Sequence, residues 1–133
     1  MADRTAETRA ITLIQRSDNA YLLCRPLSAV ETAPWDFPQC PVLPGESVEA
    51  AARRLGDTLL GMSLEVDVGM PPIDTRLGER VVVLRYVFCG ILGERPGFVP
   101  PVSTKWVPKA ELNAVSTDPL HRDVVRWLVE HGG

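Results

Sequence analysis

The chain lacks several features that would point directly to a function. No apolar run reaches about 18 residues, so no membrane-spanning helix is predicted. The first segment, MADRTAETRA, is polar and has no apolar stretch of the kind found in secretory signals, so secretion is not expected. A basic excess is also absent, since 14 Lys and Arg stand against 17 Asp and Glu for a net charge of −3. Nucleic acid is therefore not expected as a partner.

Cysteine and histidine are scarce as well. The three cysteines, Cys24, Cys40 and Cys89, have no C-x-x-C spacing, and their odd number indicates free thiols in a reducing compartment. We therefore expect a cytoplasmic protein, with Cys24 and Cys89 as small buried hydrophobic residues. The two histidines, His121 and His131, stand alone and do not predict a metal site.

The composition that remains is that of an ordinary globular domain. Hydrophobic residues make up 45% and charged residues 23% of the 133 residues, which is enough for a core. One domain over 1–133 is predicted, with 1–8 as a flexible N-terminus. Alternating apolar and β-branched residues predict strands over 10–16, 20–25, 62–68, 80–92 and 104–108. The segment 69–79 is predicted to be a loop.

Two helices are predicted between and after these strands. The first begins at Ser47 as an N-cap, covers about 48–60 and ends at Gly61. Gly56 in its middle predicts close packing against a sheet, because glycine in a helix costs about 1 kcal/mol relative to alanine.

The second helix is predicted over about 119–130. Asp118 and Pro119 have the residue types of an N-cap and a first helical position. The residues expected on one apolar face are Leu120, Val124, Trp127 and Leu128. The order of strands and helices predicts an α/β (α+β) fold with a central mixed sheet between helices.

The segment from Trp35 to Met62, WDFPQCPVLPGESVEAAARRLGDTLLGM, resembles the signature of the Nudix hydrolases. That signature is G-x5-E-x7-R-E-U-x-E-E-x-G-U, where U is bulky and aliphatic, and it commonly follows a W-x-F-P-G-G turn. Without a gap, the chain matches at Trp35, Phe37, Pro38, Gly45, Glu46, Ser47, Ala51, Ala52, Arg54, Gly61 and Met62. The resemblance covers about 10–130 and implies the Nudix fold, an α/β/α sandwich with a central mixed sheet.

The chain departs from the signature where the chemistry is expected. In enzymes with this signature, the resemblance implies helix glutamates that hold Mg²⁺ or Mn²⁺ for attack by water on a diphosphate. Those glutamates fall on Leu55, Thr58 and Leu59. In a regular helix these positions would share one face, so a mostly apolar patch is predicted in place of the metal site.

Two polar positions of the signature are retained, Glu46 and Arg54. They are the candidate catalytic residues, and Glu46 is the one candidate metal ligand. The alternative is that the two form a structural ion pair, because one carboxylate rarely holds Mg²⁺ without partners.

The candidate ligand-binding residues are Arg25, Trp35, Phe37, Arg85 and Tyr86. Aromatic rings can stack on a base, and an arginine can pair with a phosphate. The alternative is that the aromatic residues belong to the core.

Three functions compete. The first is a Nudix-like protein without hydrolase activity that needs no cofactor and binds a nucleotide-like ligand or a protein partner. The second is a divergent hydrolase of nucleoside diphosphate derivatives, in which Asp74, Glu79 or Glu94 joins Glu46 in holding Mg²⁺. The third is a nucleic-acid-reading domain like that of certain adenine glycosylases, against which the negative charge argues. Family analogy alone adds a homodimer.

Overall fold

The structure, a computed structural model, describes residues 7–67, 71–114 and 121–131. Its strands are β1 (Glu7–Ile14), β2 (Ala20–Pro26), β3 (Gln39–Pro41), β4 (Met62–Asp67), β5 (Ile73–Leu77), β6 (Arg80–Glu94) and β7 (Val102–Pro108). Its helices are α1 (Val48–Leu55), which continues as a π-helical segment (Gly56–Leu60), a 3₁₀ turn (Lys109–Glu111) and α2 (Arg122–His131).

Strand β6 is the centre of a five-stranded mixed sheet. Strand β1 runs parallel along one edge of β6, and β3 pairs with the outer edge of β1. Strands β4 and β5 both pair antiparallel with the other edge of β6. Strand β5 lies along the first part of β6 and β4 along its last part. The long apolar run predicted over 80–92 therefore lies in the middle of a sheet that is covered on both faces, which explains why it does not alternate with polar residues.

Each face of the sheet packs against one helix, so the predicted α/β/α arrangement is confirmed. The α2 face is built on Ile11, Leu13, Phe37, Val82, Leu84, Tyr86, Leu112, Val124, Val125 and Leu128. The α1 face is built on Ile14, Ala52, Leu55, Leu60, Leu64, Val87 and Cys89. A separate antiparallel ribbon of β2 and β7 contributes to both clusters, with Tyr21, Leu23 and Val107 in the first and Leu22 in the second.

The first helix has the predicted extent but not a uniform geometry. The Ser47 hydroxyl accepts from the Ala50 N–H at 3.0 Å and caps the helix as expected. At the other end Gly61 is left-handed, with φ of 65°. A Cβ on Gly56 would lie 2.7 Å from a methyl carbon of Leu64 on β4, so the predicted close packing against the sheet is confirmed.

Several predicted boundaries differ from the structure. Glu7 and Thr8, predicted to be part of a flexible end, begin β1. The predicted loop 69–79 contains β5, which returns to β6 through a turn at Gly78. An exposed edge strand needs no apolar alternation, because its backbone bonds to β6 hold it in place, and this is why the sequence pattern missed it.

The last helix also packs differently from its predicted apolar stripe. Val125 is buried together with Val124 and Leu128, whereas Trp127 is 41% exposed. The predicted cap at Asp118 and Pro119, and Leu120, lie outside the described residues. In the parts of the chain that the structure describes, no helix is long and apolar enough to cross a membrane.

Candidate functional site

The three positions that should carry glutamates do not form one surface. The Gly61 N–H donates to the Gly56 carbonyl, an i to i−5 bond that widens the last turn and rotates its residues relative to a regular helix. Leu55 is only 4% exposed and lies within the apolar cluster of the α1 face. Thr58 is exposed and Leu59 is half-buried. The predicted single apolar patch is therefore wrong, because it assumed regular α-helical spacing.

None of these three positions offers a free ligand atom for a metal. Both leucine side chains are apolar. The Thr58 hydroxyl donates to the Arg54 carbonyl at 2.8 Å, within the helix itself. In the helix segment that corresponds to the metal-binding turn, the Thr58 hydroxyl is therefore used in a hydrogen bond within the helix, and the leucine side chains offer no ligand.

Glu46 and Arg54 form a bidentate ion pair. Arg54 Nε donates to one carboxylate oxygen of Glu46 at 2.9 Å, and Nη2 donates to the other at 3.0 Å. The Leu43 N–H donates to the same carboxylate at 3.0 Å, and Arg54 also reaches the Pro41 carbonyl at 2.9 Å. The expected structural pairing is present, and it clamps the loop after β3 onto α1.

This ion pair predicts a specific acid response. The hydrogen bond from Arg54, and then that from the Leu43 N–H, holds the pKa of Glu46 below its ordinary value of 4.5. A carboxylate whose pKa is lower in the folded than in the unfolded protein stabilises the fold fully at a pH above its unfolded-state pKa. That stabilisation is lost as the pH falls through its folded-state pKa. In urea unfolding from pH 7 to pH 3, we expect Glu46→Gln to lose less stability below pH 4.5 than the unmodified chain.

The control for this prediction is Glu65→Gln, which removes an exposed carboxylate of β4. Parallel acid curves for Glu46→Gln and the unmodified chain would show that the Glu46 and Arg54 pair does not couple to folding.

The cysteines are placed as packing residues rather than as nucleophiles. Cys24 and Cys89 are buried, as predicted, and burial raises the pKa of each thiol to about 12. Cys40, at the signature's glycine position, lies with its Sγ 3.5 Å from the Ala51 carbonyl. Burial also raises the pKa of the Cys40 thiol. All three are therefore protonated near neutral pH, which disfavours thiolate chemistry.

The structure divides the five candidate ligand residues among three places. Arg25 stacks on Trp35, with its guanidinium carbon 4.2 Å from the ring centroid, and it donates to two carbonyls of the loop after β2. Phe37 and Tyr86 are fully buried in the cluster of the α2 face. Arg85 lies on the opposite face of β6. The five do not converge on one pocket, and their role in ligand binding stays a prediction.

A buried polar chain that the sequence did not reveal crosses the α2 face. His121 is 0% exposed and its Nε2 lies 2.6 Å from a carboxylate oxygen of Asp36, while its Nδ1 lies 2.7 Å from the Tyr86 hydroxyl. Because a carboxylate only accepts, Nε2 carries a proton, and in the neutral ring Nδ1 accepts from Tyr86. These hydrogen bonds join β6, the residue that precedes α2 and the segment before β3. No spacing signal links residues so far apart in sequence.

Asp36 is itself held in place. Its backbone exchanges hydrogen bonds with Cys24 at 2.7 and 2.9 Å, and its second carboxylate oxygen accepts from Gln39 at 2.9 Å. His121 is further enclosed by the edge of Phe37, whose ring centroid is 5.4 Å away. This is the geometry of a rigid structural connection rather than of an open catalytic group.

The loop carboxylates proposed as substitute metal ligands are spread over the fold. Asp74 pairs in register with Val83, and Glu94 is the last residue of β6. Eleven residues of extended strand separate positions 83 and 94, or about 36 Å. Within 7–67, 71–114 and 121–131, no group of three or more His, Cys, Asp or Glu side chains could hold a metal ion.

An open cleft of about 560 Å³ lies at the end of the sheet where β1, β4 and β6 meet. Its volume is in the range of small-molecule sites. It is lined by Leu13, Gln15, Arg16, Ser17, Glu65, Val66, Asp67, Phe88, Cys89 and Gly90. None of the five candidate ligand residues lines this cleft.

Comparisons with known proteins identify the fold. No protein-family model and no curated protein sequence matches the chain. Among solved structures, the MutT protein from Methanosarcina mazei Go1 is similar, with a TM-score of 0.76 at 18% identity over 99% of each chain.

Two further solved structures agree with this result. A Nudix hydrolase from Nitrosomonas europaea has a TM-score of 0.74 at 18% identity and covers 97% of this chain and 90% of its own. The E. coli dihydroneopterin triphosphate pyrophosphohydrolase has a TM-score of 0.72 at 14% identity, covering 92% and 94%. The chain therefore has the MutT-like Nudix fold, as the sequence resemblance predicted.

Proposed function

We propose that this Nudix-fold protein lacks metal-dependent diphosphate hydrolase activity and acts as a binding domain for a nucleotide-like ligand or a protein partner. The observation that carries the proposal is the burial of Leu55 in the apolar cluster of the α1 face. At this position the signature requires a carboxylate that faces a metal, and here the side chain is part of the core.

The rest of the signature segment supports the same proposal. The oxygens of Glu46 already accept from Arg54 and from the Leu43 N–H, so a cation would have to displace these bonds. Asp57, the carboxylate within the π segment, is ion-paired with Arg95. The protein needs no metal in this proposal, and its free thiols favour the cytoplasm. A homodimer stays a prediction from family analogy.

Calorimetric titration of Mg²⁺ and Mn²⁺ into the full chain tests the proposal. The titrations are made alone and with ADP-ribose or a nucleoside triphosphate. The same mixtures are analysed for the products of diphosphate cleavage, which are a nucleoside monophosphate with ribose phosphate or with pyrophosphate. We expect no metal binding at millimolar concentration and no hydrolysis above the rate without protein. The control is an active Nudix hydrolase with intact glutamates, measured under the same conditions.

Metal-dependent hydrolysis would overturn the proposal and favour the divergent enzyme. In that case the variants Glu46→Gln and Glu94→Gln would identify which carboxylate had taken over from the signature. Loss of turnover in only one of them would name the ligand.

A further inference from the structure

Arg85 is a partly buried cation on the α1 face of the sheet. Its Nε is buried and has no hydrogen-bond partner among the residues that the structure describes. The arginine ion pairs of the described residues involve Arg9, Arg16, Arg54, Arg80 and Arg95, and not Arg85. Burying part of a guanidinium in this way is costly unless an anion compensates it.

The cross-strand neighbours of Arg85 on β1 and β3 are small and neutral. Its cross-strand neighbour on β1 is Ala10, and Cys40 of β3 lies beyond Ala10 in the same row. One row away on the same face, Val83 pairs with Thr8. Residues directly opposite in a sheet point to the same face, so these short side chains form the floor around the guanidinium. Thr8, Cys40, Val83 and Arg85 are each partly exposed, which shows that α1 does not close this part of the face.

One carboxylate lies near Arg85 without neutralising it. Asp74 pairs in register with Val83 and therefore occupies the same face, two residues away along β6. Among the described carboxylates, none forms an ion pair with Arg85. Because Nε is buried, the two Nη groups are the part of the guanidinium that the acceptor oxygens of a ligand can reach.

We propose that Arg85 is an anion-binding residue that holds a phosphate or carboxylate group of a small molecule against the open part of the α1 face, without a divalent cation. The inference rests on the proposed function, because it names the ligand class for a binding domain that has lost its metal. The positive charge of Arg85 supplies the attraction that a metal would otherwise provide.

Calorimetric titration in EDTA at low salt tests this assignment, with inorganic pyrophosphate and citrate as separate probes. We expect binding that weakens as salt is added, and a loss of about tenfold to a hundredfold in affinity in Arg85→Gln, as for hydrogen bonds to a charged group. Arg85→Lys should retain part of the affinity, since it keeps the charge but not the fork. The matched control is Arg126→Gln, which removes an exposed arginine of α2 on the other side of the sheet.

The two probes separate the possible anions. Tighter binding of pyrophosphate would assign a phosphate, and tighter binding of citrate would assign a carboxylate. If neither probe binds, or if Arg85→Gln binds as well as Arg126→Gln does, the assignment is wrong. Because these titrations contain no metal, their failure does not bear on hydrolase activity, and metal-dependent hydrolysis would not be detected in them.

Thermal unfolding of Arg85→Met without ligand provides a second readout. Methionine preserves the apolar stem of the side chain and removes the unpaired charge. We expect its Tm to equal or exceed that of the unmodified chain, and the stabilisation by the bound probe to disappear. A clearly lower Tm in Arg85→Met would mean that the guanidinium holds the fold together, and would overturn its assignment to a ligand.

Discussion

Restoring the first missing glutamate, by Leu55→Glu, is expected to destabilise the protein by about 3–5 kcal/mol at pH 7 instead of restoring a metal site. Leu55 is 4% exposed and packs in the cluster of the α1 face with Ala52, Leu64 and Val87. An ionised carboxylate in this apolar cluster would lose its hydration. Urea unfolding at pH 7 measures the cost.

The same variant carries an internal check through its pH dependence. Burial raises the folded-state pKa of the introduced carboxyl, so the destabilisation relative to the unmodified chain should be smallest below about pH 4.3 and increase as the pH rises. Leu55→Gln, which has a similar volume and no charge, should cost free energy without this additional pH dependence. Thr58→Glu, at an exposed position, should change stability by only about 0.5 kcal/mol.

A stable Leu55→Glu variant that binds Mg²⁺ would contradict both this prediction and the proposed loss of the active site. It would show that the helix can rotate and present position 55 to solvent. The outcome therefore decides whether the signature was lost by substitution of side chains alone or by reorganisation of the helix that carried them.

Truncating the buried histidine, by His121→Ala, is expected to cost about 2–4 kcal/mol. The substitution removes the bonds to Asp36 and Tyr86 at 2.6 and 2.7 Å, and it leaves a cavity at a fully buried position. The midpoint of urea unfolding should fall without a change in the slope, because the exposed surface of the unfolded chain stays nearly the same.

Two milder variants measure how much of this cost comes from each of the two hydrogen-bond partners of His121. Tyr86→Phe deletes only the hydroxyl and should cost about 1 kcal/mol. Asp36→Asn keeps an oxygen that can accept from His121 but removes the charge, so its cost should lie below that of His121→Ala. If His121→Ala unfolds at the same urea concentration as the unmodified chain, the polar chain does not contribute to holding α2 against the sheet.

The segment 56–61 shows which local features the sequence pattern predicted and which it did not. Gly61 at the end of a periodic segment predicts a helix stop, and a glycine in the middle predicts close packing, because both rest on local backbone properties. The structure confirms both. The change to π geometry between them rests on how the helix meets β4, and the periodicity of one segment contains no information about it. The predicted patch at 55, 58 and 59 failed for this reason.

The ion pair of Glu46 and Arg54 joins two residues at an intermediate separation in sequence. Glu46 precedes the cap at Ser47 and Arg54 lies about two turns into the helix, so their long side chains can meet when the residue before the cap turns back along the helix. The sequence therefore predicted this pair as an alternative to catalysis. Its further bonds to the Leu43 N–H and the Pro41 carbonyl depend on the path of a proline-rich loop, which no local rule specifies.

By itself the sequence determined the order of the main elements, the Nudix fold and the absence of the signature glutamates, because periodicity, capping residues and a gapless motif are local properties of the chain. Tertiary structure alone decided that Leu55 belongs to the core and that His121 joins Asp36 and Tyr86. It also decided that the Arg85 Nε is buried without a hydrogen-bond partner among the described residues. Each of these depends on contacts between residues far apart in sequence, whose burial and charge compensation are set only when the sheet and helices pack together.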